Sequence, residues 1–402
     1  MTLSRRKLIG AGLSGFALTW IAATASAAKT KGKAGHRRTS FRPGEIWTDT
    51  SGKPIQAHAG GVIHVDGIFY WYGENKEFTT GKGTPESWGI RLYRSMDLYN
   101  WDDAGLLIPP DTSSTKTALS PTVFPERPHI LHNRKTGKFV CWIKVRGFGP
   151  EHRIVLTADK ITGPYTMVNN HLMPAGMPAG DFDLVADPDT GRAYMYFEHD
   201  HKELVCIELT DDWCGVTDRL SRQFPASPPD VKEGIACFRR GGKLYLTSSA
   251  MTGYFPNPST VVVAPDYHGP FEALGDLHPT DRSRTSFNSQ ISCIFKHPTK
   301  KDLYIAVADR WFPNLSELGG EDFDDGTISE NLRSAIRKVT SKPPSPPTPA
   351  EVKALQFFTK SGGAALFHVN TSISRYVWLP IRFSGDRPII EWRDDWRVSE
   401  FA

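Results

Sequence analysis

Short apolar runs, each followed by a tight polar turn and a second apolar run, recur through most of this chain of 402 residues. The clearest case places residues 62–65 and the aromatic-rich residues 68–72 on either side of Asp66-Gly67. Asp-Gly between two such runs is a strong signal for a two-residue β-hairpin. The pattern therefore predicts an antiparallel strand pair, and the polar segment 56–61 leads directly into it.

The same pattern returns so that the chain holds five copies, at a spacing of roughly 50–70 residues, as repeat architectures require. The later copies have their turns at residues 134–137, 188–191, 241–242 and 299–302. Each copy continues into a third apolar run and a polar edge that contains aromatic residues. Short strands of this kind also build β-sandwiches, but copies with turns at matching places favour radial repetition. We therefore predict an all-β fold, a five-bladed β-propeller with four-stranded antiparallel blades.

One segment, at about residues 315–362, breaks the repeat. It contains an acidic run at 321–325, a helical pattern near 329–339 and a proline-rich stretch at 343–349. We expect an insertion in the fifth blade rather than a second domain, because the segment is too short and too rich in proline for a core of its own. A solvated loop is favoured over a lid on the site.

The first residues predict an export signal. Arg5, Arg6 and Lys7 precede an apolar stretch from residue 9 to about residue 23, and Ala25-Ser26-Ala27 fits a cleavage site. Paired arginines in this position indicate the twin-arginine type. A transmembrane anchor is the weaker alternative, because the apolar run is short and contains Gly and Ser.

This signal sets the expected domain organisation and location. We predict a twin-arginine signal peptide at residues 1–27, a disordered spacer at 28–42 and the propeller domain at 43–402. The twin-arginine export machinery is then a partner, and the mature protein is periplasmic or secreted, with no membrane association after removal of the signal.

The net charge of +4 also comes from the N-terminal region. Residues 1–40 hold eight of the 48 Lys and Arg residues and no acidic residue, which leaves 40 basic against 44 acidic residues in the remainder. The predicted propeller is therefore mildly acidic, and we expect no nucleic-acid partner.

The five cysteines include no Cys-x-x-Cys motif, so a zinc ribbon or a thioredoxin-like site is not expected. Most of them lie in apolar runs and are expected to be buried as small hydrophobic residues. Cys206 and Cys214 are a candidate disulfide.

Polar residues stand just before the first strand of each predicted blade. That strand lines the central channel of a propeller, so these side chains should meet at one end of it. They are Gln56 and His58, Glu126, Asp181, Glu233, and Asn288 with Gln290. Glycoside hydrolysis needs a carboxylic acid that protonates the leaving oxygen and a second group that activates water or attacks carbon. Neighbouring carboxylates keep such an acid protonated, so the set predicts a glycosidase site. For any single carboxylate, a structural role as hydrogen-bond acceptor at a strand start is favoured, and only the set as a whole favours chemistry.

These residues and their surroundings resemble glycoside hydrolase family 43, whose members are five-bladed propellers, and within it the exo-β-1,3-galactanase group. The resemblance runs from about residue 45 to the C-terminus, apart from the insertion. It rests on Gln56-Ala57-His58, Tyr70-Trp71-Tyr72-Gly73-Glu74-Asn75-Lys76, Glu126-Arg127-Pro128, Asp181 before Leu184, Glu233-Gly234-Ile235-Ala236-Cys237-Phe238, Thr252-Gly253-Tyr254-Phe255-Pro256-Asn257, Phe287-Asn288-Ser289-Gln290, Asp309-Arg310-Trp311 and Tyr376-Val377-Trp378-Leu379-Pro380.

The resemblance implies catalytic roles. Glu233 matches the general acid, and Asp181 matches the aspartate that tunes this acid and orients the sugar. Most members have an aspartate base in the first blade, where this chain reads Gln56, and the galactanase group shares that absence. In this group a glutamate matching Glu126 is needed, and a glutamine matching Gln290 holds the water. Inversion at the anomeric carbon is the implied stereochemistry.

Sugar binding is expected from further residues, namely Gln56, His58, Glu74, Asn288, Arg310 and Trp311. Trp71 and Tyr254 are candidates for stacking on a sugar, although aromatic residues in propellers more often form the core between blades. Glu198 is a further acid near a blade edge. Gly-Ile follows Glu233 where the group usually has Ala-Pro.

No cofactor or metal ligand is predicted. A calcium ion in the channel is compatible with the fold, but the sequence has no EF-hand loop.

The sequence therefore predicts an exported enzyme that removes galactose from β-1,3-galactan or arabinogalactan, with a plant or microbial polysaccharide or oligosaccharide as its substrate. Two alternatives stay open. One is an α-L-arabinofuranosidase or β-xylosidase on the same fold. The other is a carbohydrate-binding propeller without catalysis, which the missing first-blade aspartate suggests.

Overall fold

The structure is a computed structural model that describes residues 37–82, 85–147, 149–362 and 369–402. The predicted signal peptide at 1–27 and the spacer as far as residue 36 lie outside the described residues. No helix within the described part of the chain is long and apolar enough to cross a bilayer.

In the described part of the chain, twenty strands form five four-stranded antiparallel sheets, each built from consecutive strands. The first two blades are β1 (His58–Val65), β2 (Ile68–Glu74), β3 (Ile90–Ser95), β4 (Asp102–Ile108) and β5 (Phe124–Asn133), β6 (Lys138–Arg146), β7 (His152–Ala158), β8 (Thr166–Leu172). The next two are β9 (Phe182–Ala186), β10 (Ala193–His199), β11 (Glu203–Leu209), β12 (Val216–Gln223) and β13 (Glu233–Arg240), β14 (Lys243–Ser249), β15 (Thr260–Ala264), β16 (Glu272–Asp276). The fifth is β17 (Gln290–Lys296), β18 (Tyr304–Arg310), β19 (Arg375–Ser384), β20 (Arg387–Ile390).

The first strand of every blade lies at the centre. β1 contacts β5 and β17, β9 contacts β5 and β13, and β13 contacts β17, so the five first strands close a ring around the channel. The hairpin between β1 and β2 turns at Asp66 and Gly67, which both have positive φ, as a two-residue turn of this type requires. The predicted fold, a five-bladed propeller with four-stranded blades, is confirmed.

The ring closes through an aromatic cluster between the segment that precedes β1 and the segment that follows β20. Phe41 pairs with Trp396 in an isolated bridge, and their rings stack with centroids 4.1 Å apart. Trp378 of the fifth blade and Trp71 of the first blade belong to the same cluster. Ser40 and Phe41, which fall within the range predicted as a disordered spacer, are therefore buried.

The insertion between β18 and β19 is helical. It contains α1 (Leu315–Gly319), α2 (Glu321–Asp324), α3 (Thr327–Thr340) and α4 (Pro349–Lys360). Leu315, Phe323, Ile328, Leu332 and Ala354 are buried in one cluster with Phe255. The helical pattern near 329–339 is confirmed within α3. The expectation of a solvated loop without a core was wrong, because Phe255, from a loop of the fourth blade, supplies apolar surface that the insertion lacks.

All five cysteines are free thiols, and Cys141, Cys206, Cys237 and Cys293 are buried. The candidate disulfide between Cys206 and Cys214 does not form. The burial of the other thiols in strands agrees with their position in apolar runs.

We predict that Phe41→Ala lowers the free energy of unfolding by about 3–5 kcal/mol, because it removes a buried ring from the contact between the segments that precede β1 and follow β20. Denaturant unfolding followed by tryptophan fluorescence measures this change. The control is Phe78→Ala, since the Phe78 ring is 48% exposed, and we expect a loss of about 1 kcal/mol or less. Equal losses in both variants would show that the contact does not close the propeller.

Candidate active site

Strand register places one residue of each blade at the start of the inner strand and pairs it with one residue at the end of the second strand. From the first blade to the fifth, the pairs are His58 with Glu74, Glu126 with Lys144, Asp181 with Glu198, Glu233 with Ser249, and Gln290 with Asp309. Because the five inner strands surround the channel, these ten positions form a ring at one end of it.

A β-bulge follows the ring residue in several blades, and in three of them the next residue has positive φ. These residues are Ala59 at 48°, Arg127 at 49° and Gly234 at 57°. Bulges of this kind redirect a side chain near the end of a strand. Gly234 has a second constraint, since a Cβ there would lie 2.7 Å from Ser249 Oγ and 2.9 Å from Gln290 Nε2. Glycine after Glu233 thus suits both the backbone and the close packing behind the acid.

A pocket of about 350 Å³ opens at this ring. Its lining residues are Ala59, Glu74, Glu126, Arg127, Lys144, Arg146, Glu151, Asp181, His201, Glu233, Met251, Gly253, Tyr254, Gln290 and Trp311. The structure therefore brings together all four residues that the sequence analysis proposed as catalytic, from four different blades.

Asp181 lies between two cations, and its side chain is only 11% exposed. Its Oδ2 lies 2.8 Å from Arg127 Nη2 and its Oδ1 lies 3.0 Å from Lys144 Nζ. The backbone N–H of Gly234 also donates to Oδ2, at 3.1 Å. Burial acts to raise the pKa of Asp181, but Arg127 and Lys144 outweigh it and hold the pKa well below its usual range. Asp181 is therefore an anion in the folded protein.

Glu126 is the second buried anion of the pocket. Arg146 donates to its carboxylate, and Lys144 Nζ lies 3.1 Å from Oε2. These cations outweigh the effect of burial, so the pKa of Glu126 also lies well below its usual range. Lys144 contacts both Glu126 and Asp181 and fixes the two carboxylates relative to each other.

Glu233 has the opposite character. Among the described residues, its carboxyl group makes no hydrogen bond and no ion pair, while its backbone carbonyl accepts from Ser249 Oγ at 3.3 Å. Burial, followed by the negative charge of Asp181, raises the pKa of Glu233 to about 8. A carboxyl group that is protonated near neutral pH, and free of protein partners, is available to donate its proton to a bound molecule.

The orientation of the Gln290 amide is set by its neighbours. Arg127 Nη2 and Trp311 Nε1 can only donate, and they lie 3.0 and 3.3 Å from Gln290 Oε1. Gln290 Nε2 donates to Ser249 Oγ at 3.0 Å. Both acceptor sites of the oxygen are thus occupied, and one hydrogen of Nε2 is left for a ligand.

Comparison with known proteins gives the family. The model of glycosyl hydrolases family 43 matches residues 52–308. The chain belongs to glycosyl hydrolase family 43. It is therefore a glycoside hydrolase, as the resemblance in the sequence implied.

Solved structures of family 43 enzymes have the same fold. A family 43 β-1,3-galactosidase is 26% identical with a TM-score of 0.70, over 90% of this chain and 65% of that chain. A variant of the exo-β-1,3-galactanase of Phanerochaete chrysosporium, solved with β-1,3-galactotriose, is 24% identical with a TM-score of 0.67, over 89% of this chain and 68% of that chain. An exo-β-1,3-galactanase of Clostridium thermocellum is 23% identical with a TM-score of 0.63, over 89% of this chain and 66% of that chain. The last two likenesses show the fold alone. No curated protein matches the sequence.

Several predicted sugar ligands lie outside this family 43 pocket. His58 is fully buried, with Nδ1 2.9 Å from Asp309 Oδ1 and its ring stacked on Tyr376. Gln56 precedes the ring by two residues, and its Nε2 donates to the Ser372 carbonyl. These side chains join the first blade to the fifth, and the register gives the first-blade ring position to His58 and not to Gln56.

The side chains of Asn288 and Arg310 also donate hydrogen bonds to backbone carbonyl groups. Asn288 Nδ2 donates to the Phe312 carbonyl at 2.8 Å, and Arg310 Nη2 donates to the Phe287 carbonyl at 3.0 Å. Their prediction as hydroxyl ligands is not supported by these contacts. Glu74 and Trp311 do line the pocket, while Trp71 is buried in the core between blades.

Other pocket residues were missed from the sequence. Lys144 and Arg146 lie two positions apart on β6, so alternation along that strand puts them on one face. This alternation of two basic residues along a predicted strand was visible in the sequence. His201 was less visible, because it reaches the pocket from the turn between β10 and β11, where Asp200 and His201 both have positive φ.

The described residues contain no group of three or more His, Cys, Asp or Glu side chains that could hold a metal ion. The calcium ion that the sequence left open therefore has no cluster of carboxylate and histidine ligands among these residues.

We predict that Asp181→Asn lowers the pKa of Glu233. The negative charge of Asp181 disfavours ionisation of Glu233, and its removal also leaves Arg127 and Lys144 free to stabilise the Glu233 carboxylate. Burial stays in place, so the pKa should fall towards, without reaching, its ordinary value. NMR titration of labelled glutamate carboxyl carbons measures this, with Glu233→Gln assigning the signal. Asp302→Asn, a surface change beside Arg240, is the control. An unchanged or raised midpoint in Asp181→Asn would contradict the assignment.

Proposed function

We propose that this family 43 glycoside hydrolase removes terminal galactose from β-1,3-linked galactan, with inversion at the anomeric carbon. The observation that carries the proposal is the contrast in one small pocket between a protonated, unpartnered Glu233 and two ionised carboxylates, Glu126 and Asp181. Glycoside hydrolysis requires that contrast.

Glu233 is the general acid. Its proton passes to the glycosidic oxygen as the bond from that oxygen to the anomeric carbon breaks, so the leaving sugar departs as a neutral alcohol. The negative charge that develops on Glu233 forms near Arg127 and Lys144, both of which favour its anionic form. Asp181 keeps the proton on Glu233 until a substrate oxygen is present.

Gln290 orients the attacking water. The free hydrogen of Nε2 donates to the water oxygen, while Arg127 and Trp311 prevent the amide from turning. An amide in this state is a donor, so Gln290 positions the water and does not take its proton. The proton that the water loses is released to bulk solvent, from which Glu233 regains the proton that it gave to the leaving oxygen. Glu126 and Asp181 remain ionised and accept hydrogen bonds from sugar hydroxyl groups or from this water.

An aromatic surface completes the pocket. The Tyr254 and Trp311 rings lie with centroids 5.1 Å apart, and both residues line the cavity. Sugar faces stack on such rings through their C–H groups, so this surface suits the apolar face of a galactose ring. The small volume of the pocket suits one terminal sugar and supports exo action.

The choice of sugar and linkage rests on the relatives. The family 43 structure with 26% identity is described as a β-1,3-galactosidase, and several other solved chains that match are described as exo-β-1,3-galactanases. An α-L-arabinofuranosidase or β-xylosidase on the same fold would carry the same acid and differ in the released sugar.

We predict that β-1,3-galactan yields free galactose, and that the first product formed is the α-anomer. Inversion of a β-linkage requires this anomer, and proton NMR resolves it before mutarotation. Arabinan, xylan and β-1,4-galactan in the same panel serve as controls. Release of arabinose or xylose in place of galactose would contradict the proposed substrate and favour the arabinofuranosidase or xylosidase alternative. The β-anomer as first product would contradict inversion.

We predict that Glu233→Gln lowers kcat by about 10²–10⁴-fold, because the amide cannot protonate the leaving oxygen. Initial rates of sugar release measure the loss, and thermal unfolding checks that the fold is kept. Glu272→Gln, at an exposed position of β16, is the matched control. Binding of galactan by the wild-type protein without release of any sugar would favour the carbohydrate-binding alternative.

A further inference from the structure

The helical insertion contacts the propeller at the segments that carry the pocket residues. Phe255 is buried among the insertion helices, with its ring centroid 5.8 Å from that of Phe358 and 6.4 Å from that of Phe323. The preceding residue, Tyr254, lines the pocket. The helices therefore hold the loop that forms the aromatic side of the site.

A second contact joins α3 to the segment that leads into Glu233. Arg337 Nε and Nη2 donate to Asp230 Oδ2 and Oδ1 at 2.6 and 2.7 Å, and Arg333 Nη2 donates to Oδ1 at 3.1 Å. Thr340 Oγ1 also lies 3.0 Å from the Pro228 carbonyl oxygen, although the Ile336 carbonyl oxygen of its own helix is nearer at 2.8 Å. A paired guanidinium and carboxylate fix both distance and orientation, and they do so three residues before the candidate acid.

The segment leading into Gln290 is held by the same helix. Ser329 Oγ donates to the Arg284 carbonyl at 2.8 Å, and a Cβ at Gly326 would lie 2.6 Å from the Arg282 carbonyl oxygen. The Met251 N–H donates to the Pro229 carbonyl at 2.7 Å, so the loop with Tyr254 and the segment with Asp230 are also bonded to each other.

The insertion is internally braced. Glu351 in α4 accepts from Ser334 Oγ at 2.6 Å and from Lys338 Nζ at 2.7 Å, both on α3. Its carboxylate also caps its own helix by accepting from the Thr348 N–H. A movement of α3 would therefore require α4 to move with it.

From these contacts we infer that the insertion is a positioning element, in which Arg333 and Arg337 hold Asp230 and thereby set the place of Glu233 relative to the glycosidic oxygen. The inference rests on the proposed role of Glu233 as general acid. Asp230, Arg333 and Arg337 touch no substrate in this scheme and act through the segment that they hold. Because the three side chains are partly exposed, their loss should affect the position of this segment far more than the global fold.

The test is the double variant Arg333→Met with Arg337→Met, assayed with nitrophenyl glycosides of the sugar that the wild-type enzyme releases. For a poor leaving group, which needs the acid, kcat should fall by about 10- to 100-fold. For dinitrophenyl glycosides, which leave without a proton, kcat should stay within about twofold, since the pocket itself is kept. Arg333→Lys with Arg337→Lys should recover only part of the loss, because the charges remain but the two-point pairing of Arg337 with Asp230 is lost. Arg382→Met, which breaks the exposed pair with Glu391 in the fifth blade, is the control.

Hydrogen exchange gives a readout that does not depend on activity. Backbone amides of residues 230–234 should exchange faster in the double methionine variant, while those of β1 and β5 stay unchanged. Equal rates and equal exchange in variant and wild type would overturn the inference. A uniform loss on both leaving groups, with a matching fall in thermal stability, would also overturn it, since the arginines would then be merely structural. A wild-type protein without glycosidase activity would instead refute the proposed function. The exchange experiment would still test whether Arg333 and Arg337 hold residues 230–234 in place.

Discussion

The ion-paired group of Arg127, Asp181 and Lys144 is the constraint on which the candidate site depends. A buried carboxylate is tolerated only where cations and N–H groups replace its water. Asp181 has both, with its two cations supplied by the second blade and an N–H supplied by the fourth. The same contacts therefore compensate the charge, join three blades and fix the anion that acts on Glu233.

Glu233 is protonated because the cations of this group pair with the other carboxylates and not with Glu233. Arg127 and Lys144 pair with Asp181, and Lys144 and Arg146 pair with Glu126, so the carboxyl group of Glu233 receives no close partner. Burial then favours its protonated form, and the fixed anion adds to the effect. The asymmetry between acid and anion thus needs no special feature at Glu233 itself. It arises because positive charge is distributed unevenly over the ring.

Much of this could be predicted from the sequence, for a physical reason. Repeated turns gave the blades, and Glu126, Asp181, Glu233 and Gln290 were found because polar residues at the start of buried strands are costly unless they are used. The insertion was misjudged because its core is completed by Phe255, which lies about 60 residues earlier in the chain. No local pattern reports a partner at such a separation. Lys144 and Arg146 were missed for a different reason, since lysine and arginine at the end of a strand usually indicate side chains that are exposed to solvent.

The first blade shows how register decides between residues that the sequence cannot separate. Gln56 and His58 both precede β1, and the sequence analysis took Gln56 as the residue in the place of the family's usual base. Pairing of His58 with Glu74 assigns the ring position to His58 instead. That side chain is held by Asp309, the second-strand ring residue of the fifth blade, whose other oxygen accepts the Ala59 N–H at 2.9 Å. Two ring positions are thus used to join the first blade to the last. A base at the first-blade position would need one of these groups, and both are already engaged in the buried His–Asp pair that joins the first blade to the last.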